Sequence, residues 1–547
     1  MFKCDNKSTI FRRAFPFILA ISLSLIFAAC AEKEEDEDDE LADVNGPMPA
    51  KEVALRVESS KVTITWLVPT KEDSLFNRDI HGFMITRHEN ESDEALPART
   101  QKYEIGDLIG AQEVMEIIEA DPTKDEDIGV TWEDGALKKG VTYRYTIYTY
   151  DEVPNYSDPF HLEATPGSLI EPRTNHAQTL LADGRVFLCG GTGYGGELDS
   201  AEIFDPDGDS FEMLADTLNR PRTDHTATLL NDGRVLIVGG FDEVDDENED
   251  EDEDEGEDQY VETLSSAEIF DPDTGIFRFL DARMSAGRGK HTATLLPDGR
   301  VLVVGGNDGV NAFDSAEIFD PETESFSLVS DTMEKSRYSH TVTPFYLGQE
   351  FRLLVAGGSN KQKAIDSATF FNGVSQDFGR FDPVPDNEEN SLFQSRMNHG
   401  ATLTNNDLVI LTGGFSGAPT AGRRIAGIEI FDIAGGEFLE GTSLETPRSE
   451  HIAALLPDGR VLISGGVGNG SMILSGSEIY DPENDSVSAG SPLIHARSSA
   501  KTTVLEDGRI FVSGGNASAD PFAPRPVSSA EVFDSGTGDW AVVPAPR

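Results

Sequence analysis

The chain has 547 residues, which allows two to four domains at about 150 residues each. Its 99 Asp and Glu residues against 43 Lys and Arg residues give a net charge of −56, and a surface this acidic repels phosphate backbones, which excludes nucleic-acid binding. Only 3 cysteines are present, too few for a disulfide scaffold. The 52 glycines and 31 phenylalanines indicate many short strands joined by tight turns.

Residues 1–29 have the pattern of an export signal. A basic start is followed by the apolar run 14–27, which is too short to span a membrane comfortably and has the length of a signal core. The run leads into Ala28-Ala29-Cys30, which resembles the bacterial lipobox, where small residues precede a cysteine that is diacylated. The resemblance implies a lipid anchor on Cys30. The alternative is ordinary cleavage after Ala29, with Cys30 an incidental thiol.

Residues 30–47 are predicted to form an acidic tether. Within them, residues 32–40 hold eight acids and one Lys, a run that stays solvated and extended. Such a tether would hold the folded part of the chain off the membrane. Ala31, directly after the predicted lipid site, is not Asp, and by resemblance to Gram-negative sorting this implies an outer-membrane lipoprotein, facing either the periplasm or the exterior.

Residues 48–166 alternate apolar and polar side chains with a period of two. The alternation is clear in 62–66 and in 143–147, and it predicts the half-buried strands of a β-sandwich. The span 105–128 fits this pattern poorly, and we expect it to be an inserted loop or a short helix.

The end of this segment, residues 140–157, resembles a bacterial fibronectin type III domain. Trp66 matches the core tryptophan of an early strand in that family, and Tyr143 matches its corner tyrosine, whose hydroxyl pins a loop. The resemblance implies a spacer or adhesion module without catalytic residues.

Internal repeats dominate the rest of the chain. A Gly-Gly pair recurs seven times, at 190–191, 239–240, 305–306, 357–358, 413–414, 465–466 and 514–515. An arginine precedes each pair, at Arg173, Arg222, Arg288, Arg337, Arg396, Arg448 and Arg497. Three residues after the arginine comes a histidine in six repeats, at His176, His225, His291, His340, His399 and His451, and Ala500 in the seventh. In five repeats Asp-Gly-Arg lies between two apolar runs and predicts a hairpin turn.

Each Gly pair is followed by a third apolar segment that ends in an aromatic residue. These residues are Phe204, Phe270, Phe319, Phe371, Phe431, Tyr480 and Phe533. Seven positions later another apolar residue follows, namely Phe211, Phe277, Phe326, Phe378, Phe438, Val487 and Trp540. Each repeat is therefore predicted to be four strands, with variable length only between the second and third.

The repeat pattern resembles the kelch motif, whose repeats each form one blade of a β-propeller. The resemblance implies an all-β chain with a seven-bladed kelch β-propeller at 168–547, in which the Gly pairs let neighbouring backbones approach closely. Since seven complete copies fit after Arg173, we predict that blade seven packs on blade one without exchanging a strand. In that prediction Trp540 and Phe533 hold the last blade together.

Six histidines at one blade position could suggest a metal site, but residues spread around a ring cannot all reach one ion at about 2 Å. We interpret them as hydrogen-bonding groups between blades. The resemblance extends to copper-radical oxidases, whose chemistry needs a Tyr–Cys thioether, a second Tyr and two His. No Tyr-His pair stands at the blade starts, and Cys189 is interpreted as a small core residue. We therefore expect no metal, no cofactor and no enzymatic activity. The alternative is a copper-radical oxidase-like or sugar isomerase-like enzyme.

Two features lie in the loops after the Gly pairs. Residues 242–258 hold 14 acids in 17 residues and are predicted to be a disordered, solvated insert. Lys361, Lys363, Arg423 and Arg424 are basic residues in neighbouring loops of an acidic protein, and we take them as the candidate ligand-binding residues.

Together these patterns predict a monomeric cell-surface lipoprotein. Its function would be non-enzymatic binding or adhesion, with the propeller loop face binding a protein or a glycan. Contact with the membrane would be through the lipid alone.

Overall fold

The structure, a computed structural model, describes residues 51–58, 60–68, 82–89, 102–105, 108–109, 112–119, 128–150, 156–157, 159–244, 260–372, 380–383, 391–418, 421–518 and 524–543. All of them belong to one unit of the chain, Asn45–Arg547. The predicted export signal, Cys30 and the acidic tether lie outside the described residues. Within the described residues, no helix has the length and apolar character to cross a membrane.

Two antiparallel sheets form the N-terminal part. Their strands are β1 (Lys51–Val57), β2 (Lys61–Val68), β3 (Gly82–Glu89), β4 (Leu108–Ile109), β5 (Gln112–Glu119), β6 (Ile128–Gly135), β7 (Tyr143–Tyr150) and β8 (Phe160–Ala164). One sheet has the order β1-β2-β6 and the other β4-β5-β3-β7-β8. Val62, Ile64 and Trp66 from the first sheet and Tyr145 and Ile147 from the second share one buried core, so the predicted sandwich is confirmed.

Two aromatic residues that the sequence singled out lie in this core. Trp66 packs edge-on against Phe83, with ring centroids 5.4 Å apart. The hydroxyl of Tyr143 accepts a hydrogen bond from the main-chain N–H of Lys138 at 3.1 Å. The tyrosine therefore ties down the loop that leads into its own strand, as predicted.

The expectation of a loop or short helix at 105–128 is wrong. This span contains β4 and β5, and β5 pairs along β3 with a bulge between Ile85 and Thr86. Gln112 and Val114 are buried, whereas Glu113 between them is exposed. A buried glutamine at an apolar position hid the period of two, and Thr86 satisfies it with a 2.6 Å hydrogen bond.

In the described residues after β8, seven four-stranded antiparallel sheets follow, each with its strands in sequence order from first to fourth. Blade one is Ala177–Leu180, Val186–Cys189, Ala201–Asp205 and Ser210–Met213. Blade two is Thr226–Leu229, Val235–Val238, Ser266–Asp271 and Ile276–Arg283. Blade three is Thr292–Leu295, Val301–Val304, Ala316–Asp320 and Ser325–Leu328. Blade four is Thr341–Leu347, Glu350–Ala356, Ala368–Asn372 and Arg380–Pro383.

Blades five to seven complete the ring. Blade five is Gly400–Leu403, Leu408–Thr412, Ile428–Asp432 and Glu437–Gly441. Blade six is Ile452–Leu455, Val461–Ser464, Ser477–Asp481 and Ser486–Gly490. Blade seven is Lys501–Val504, Ile510–Ser513, Ala530–Asp534 and Asp539–Val543. The loops between second and third strands add three short hairpins, Thr192–Gly193 with Gly196–Glu197, Phe241–Val244 with Tyr260–Thr263, and Phe415–Ser416 with Arg423–Arg424, and a 3-10 turn at Asn469–Ser471.

The second strand of each blade is buried on both faces because it lies between two neighbouring blades. All four residues of Val235–Val238 are buried, for example, which explains the continuous apolar run before each Gly pair. At the Gly pair the blades touch through backbone. A Cβ on Gly190 would lie 2.5 Å from the carbonyl oxygen of Arg222 in the next blade, so only glycine fits.

Ring closure without strand exchange is confirmed, because blade seven consists of its own four strands and β8 belongs to the sandwich. The closing contact is a stack of Phe511 in blade seven on Phe204 in blade one, with ring centroids 4.3 Å apart. Trp540 and Phe533 do pack together in the last blade, as predicted, but they lie on its blade-six side and not at the closing contact. The indole N–H of Trp540 donates to the carbonyl of Ser491 in blade six at 3.1 Å, and the residue packs with Phe533 into the core between blades six and seven.

Blade four departs from the predicted spacing twice. Its first hairpin is longer, which places His340 farther from the Gly pair. Its third and fourth strands pair Phe371 with Phe381 rather than with a residue seven positions later, and Phe378 lies outside the described residues. Variable length is therefore not confined to the loop between the second and third strands.

The predicted acidic insert begins too early. Asp242 belongs to the hairpin strand Phe241–Val244, is buried, and accepts a 2.6 Å hydrogen bond from Nη2 of Arg220. Most of the predicted segment, residues 245–258, lies outside the described residues.

The sandwich and the propeller are joined by direct hydrogen bonds. Tyr194, in a loop of blade one, accepts a hydrogen bond from the N–H of Glu163 in β8 at 3.0 Å and donates one to the carbonyl of Pro526 at 3.1 Å. Thr142 lies 2.9 Å from Nε2 of His495, before blade seven. The two parts therefore meet at blades seven and one.

Candidate functional site at the mouth of the axial channel

One residue in each blade lies two positions before the start of the innermost strand and adopts a left-handed backbone conformation. These seven residues, the cup ring, are Asn175, Asp224, Lys290, Ser339, Asn398, Glu450 and Ser499, with φ between 51° and 56°. Such angles are unfavourable for residues other than glycine. Their recurrence at one position shows that the propeller geometry imposes them.

Main-chain hydrogen bonds connect the cup ring from blade to blade. From Asp224 to Ser499, the N–H of each member donates to the carbonyl oxygen of the member before it, at distances of 2.9 to 3.1 Å. This chain of bonds fixes the backbone at the mouth of the channel. The side chains are left free to differ.

Above the cup ring lies a polar cavity of about 750 Å³, which we call the cup. All seven members of the cup ring line it, together with Thr174, Thr192, Glu197, Glu243, His291, His340, Arg424, Val467, Asn516, Ser518 and Pro524. The lining combines four carboxylates with two cations, Lys290 and Arg424, and with amides and hydroxyls. It therefore offers hydrogen-bond donors and acceptors from every blade.

The charged groups in the cup interact with one another and with neighbouring polar side chains. Nζ of Lys290 lies 3.5 Å from Asp224, which raises the pKa of that lysine above its usual value. Glu450 accepts hydrogen bonds from Ser499 at 2.8 Å and from Asn398 at 3.3 Å. Burial, and then the neighbouring Glu243, raise the pKa of Glu197 to about 7.

The six histidines that recur at one position of the repeats lie between blades, as predicted. Nε2 of each bonds to a side chain of the preceding blade, with partners Ser513, Thr226, Thr292, Thr341 and Thr412 at 2.8 to 3.1 Å and Cys189 at 3.4 Å. Burial, followed by the nearby Arg288, lowers the pKa of His291 to about 3, so this ring is neutral. These histidines are structural hydrogen-bonding groups.

The residues do not fit a copper centre built from tyrosines and histidines. Cys189 is buried against His225, and burial raises the pKa of its thiol to about 12. Across the described ranges, no three or more His, Cys, Asp or Glu side chains are placed to hold one metal ion. We therefore derive no chemistry through a metal.

Of the four predicted basic residues, the structure places Arg424 in the lining of the cup and the other three outside it. The loops that carry them are neighbours, since the N–H of Ala364 donates to the carbonyl of Gly417 at 2.9 Å. Arg424 lines the cup, whereas its strand neighbour Arg423 is exposed and does not. Lys361 donates to the carbonyl of Gly309 in blade three, and Lys363 is exposed.

Sequence reasoning missed the cup ring itself. Six of its members stand immediately before a recurring histidine and Ser499 stands before Ala500, so the alignment of the repeats gave their position. Their identities differ from blade to blade, however, and neither their shared backbone conformation nor their convergence can be read from one repeat. The available signal was a variable position between the recurring arginine and the recurring histidine.

Residues 288–333 match the family model described as the Kelch motif. The chain is a kelch-repeat, all-β protein. This kelch-repeat protein matches no curated protein. Among solved structures it is similar to a fungal alcohol oxidase of the AA5 family in complex with copper, with a TM-score of 0.50 and 14% identity, over 69% of this chain and 77% of that one. It is also similar to YjhT, with a TM-score of 0.43 and 13% identity, over 59% of this chain and 98% of that one. At such identities the oxidase likeness shows the fold alone.

Proposed function

We propose that the propeller binds a glycan in the cup without catalysing a reaction on it. The observation that carries the proposal is the composition of the cup lining, where carboxylates, amides, hydroxyls and two cations from all seven blades converge on one cavity of about 750 Å³. The hydroxyl groups of a carbohydrate both donate and accept hydrogen bonds, and this lining contains partners for both. Loops on a rigid scaffold are where binding residues usually lie.

The same lining argues against a protein ligand. The central residues of protein interfaces are usually aromatic or apolar side chains that fill desolvated pockets. The apolar side chains that line the cup are Val467 and Pro524, at two of its eighteen lining positions. Of the two expected classes of ligand, protein and glycan, the hydroxyl-rich glycan therefore fits the cup better.

Arg424 gives the proposal a sharp test. Its guanidinium lies over the ring of Phe415 at 5.9 Å, and within the described part of the chain its Nε has no hydrogen-bond partner. The hairpin and Phe415 therefore hold this side chain at the wall of the cup, and its buried Nε is a donor that no described acceptor satisfies. Arg423, in the same two-residue strand, is exposed and does not line the cup, so it is a matched control.

The experiment is a glycan array followed by titration of the strongest glycan. We expect Arg424→Ala to weaken binding at least tenfold and Arg423→Ala to change it less than twofold. A lost charge-assisted hydrogen bond of about 1.5–3 kcal/mol corresponds to that tenfold or larger change. Equal effects of the two substitutions, or no glycan bound by the unchanged protein, would refute the proposal.

We further propose that the protein is an outer-membrane lipoprotein attached through Cys30. In this arrangement residues 30–47 are the tether and residues 48–166 a fibronectin type III-like domain that carries the propeller. The hydrogen bond from Lys138 to Tyr143 supports the family assignment, because a corner tyrosine makes the same kind of bond to an upstream main chain. The sequence pattern before Cys30 supports the anchor.

A further inference from the structure

Each blade buries an arginine before its innermost strand. Six of these arginines pair with a glutamate of the third strand of the same blade. The pairs are Arg173–Glu202, Arg222–Glu268, Arg288–Glu317, Arg396–Glu429, Arg448–Glu478 and Arg497–Glu531. Because each arginine is almost inaccessible to solvent, the glutamate supplies the counter-charge that burial requires.

In blades one, five, six and seven the same carboxylate also accepts main-chain hydrogen bonds from the residues three and two positions before the arginine, and in blades two and three it accepts one from the residue three positions before. In blade six, Glu478 accepts from the N–H groups of Glu445 at 2.6 Å and Thr446 at 3.1 Å. In blade seven, Glu531 accepts from Ile494 at 2.7 Å and His495 at 2.9 Å. The carboxylate thus lies in a socket made of one guanidinium and two main-chain N–H groups.

Blade four has the socket without the glutamate. Thr369 stands at the position of the glutamate, since it pairs with Val355 as Glu317 of blade three pairs with Val303. Arg337 donates to the carbonyls of Gly357 and Ser367, both at 3.0 Å, and to the Ser367 hydroxyl at 2.9 Å. Among the described residues, no carboxylate lies within ion-pair distance of this guanidinium.

The two main-chain N–H groups of this socket also lack an acceptor among the described residues. The equivalent donors in blade four are the N–H groups of Glu334 and Lys335. In the ranges that the structure describes, neither donates a hydrogen bond. Arg337 is 1% exposed, and burial lowers its pKa to about 10, opposed by the charge of the exposed Glu334. The arginine therefore remains charged at neutral pH, and within the described residues no carboxylate is paired with it.

We propose that this socket binds a small monovalent anion in the place that six other blades fill with a carboxylate. A buried charge without compensation is strongly unfavourable, and main-chain N–H groups beside a guanidinium are a general anion-binding arrangement. Because threonine lacks the carboxylate that glutamate places in the other sockets, we infer an ion no larger than that group, such as chloride or formate. This site is independent of the glycan-binding cup.

The test is thermal unfolding at constant ionic strength while sodium gluconate is replaced stepwise by sodium chloride. We expect the midpoint of the unchanged protein to rise saturably with chloride, because an anion that binds only the folded state stabilises it. In Thr369→Glu the carboxylate fills the socket, so the saturable response is lost and the midpoint in gluconate equals or exceeds that of the unchanged protein in chloride. Sodium formate, used in the same way, distinguishes a carboxylate ligand from a halide.

Glu317→Thr in blade three is the matched control, because it opens a second socket of the same kind and should enlarge the chloride response. A measurement that does not depend on these variants is anomalous scattering from crystals of the unchanged protein grown in sodium bromide. We expect a bromide peak in contact with the Arg337 guanidinium. Absence of that peak, or the same chloride dependence in the unchanged protein and Thr369→Glu, overturns the proposal.

Discussion

The seven residues of the cup ring share one backbone conformation but are of five residue types, namely Asn, Asp, Lys, Ser and Glu. A left-handed conformation costs roughly 1–2 kcal/mol for a residue other than glycine. Six hydrogen bonds between neighbouring members, each worth about 1 kcal/mol net, offset much of this strain. Because the bonds involve only main-chain atoms, each side chain can vary without loss of the ring, which is a suitable basis for a binding site.

Glu197 makes a prediction about pH. Its pKa is about 7 in the folded protein against 4.5 for the ordinary group. The unfolded state therefore loses this proton first as the pH rises, and the residue lowers the free energy of unfolding progressively between about pH 4.5 and pH 7. Glu197→Gln should have the same melting temperature as the unchanged protein near pH 4.5 and a higher one above about pH 7.

Glu212→Gln, an exposed residue on the fourth strand of blade one, is the control for Glu197. The melting temperature of this variant relative to the unchanged protein should not rise between about pH 4.5 and pH 7. Burial and the neighbouring Glu243 would not be the causes of a raised pKa if the melting temperatures of Glu197→Gln and the unchanged protein differed by a constant amount from pH 4.5 to pH 8.

At the scale of the element, the repeats show what sequence could and could not predict. The Gly pairs, the arginines and the apolar second strands each have one physical reason that every blade shares, so six blades followed the predicted spacing. Blade four did not, because its fourth strand begins three residues late and its pairing depends on Phe381 rather than Phe378. Strand β5 was missed for a similar reason, since a buried glutamine stands at an apolar position.

The contribution of the ring-closing seam to stability can be tested by comparing two phenylalanine substitutions. Phe511 stacks on Phe204 where blade seven meets blade one, at 4.3 Å, and Phe187 stacks on Phe270 between blades one and two, at 4.4 Å. Truncation of a buried phenylalanine to alanine costs about 3–5 kcal/mol. Since the two seams have the same geometry, Phe511→Ala and Phe187→Ala should lower the free energy of unfolding by equal amounts, within about 1 kcal/mol.

Denaturant titration of both variants measures this comparison. A much smaller loss for Phe511→Ala would mean that the last seam contributes little and that the ring is effectively open there. It would also contradict the assignment of ring closure to side-chain packing without a shared strand.

At the scale of the whole molecule, the sandwich is attached to the propeller beside the closing seam. Tyr194 bonds to both Glu163 of the sandwich and Pro526 of blade seven, so the sandwich braces the two blades that no strand connects. The sequence suggested a spacer here, and no repeat or motif indicated the bracing contact. Contacts between segments with unrelated patterns are set by the tertiary arrangement and leave no periodic signal.

The proposed anchor gives a prediction for the intact protein in its host. Cys30→Ser should abolish incorporation of radiolabelled palmitate and release the protein from the membrane fraction, because no lipid can then be attached. Cys4→Ser, which leaves the lipobox-like sequence unchanged, should have no effect on either measurement. A Cys30→Ser protein that stays labelled and membrane-bound would show that the anchor is elsewhere.

The central claim is that the cup is the ligand site. The most direct measurement is a crystal structure of the protein with the glycan that an array ranks highest. We predict sugar hydroxyls within hydrogen-bonding distance of Arg424 and Glu450, above the cup ring. Glycan density on the sandwich or on the outer faces of the blades, with the cup free of sugar, would contradict it.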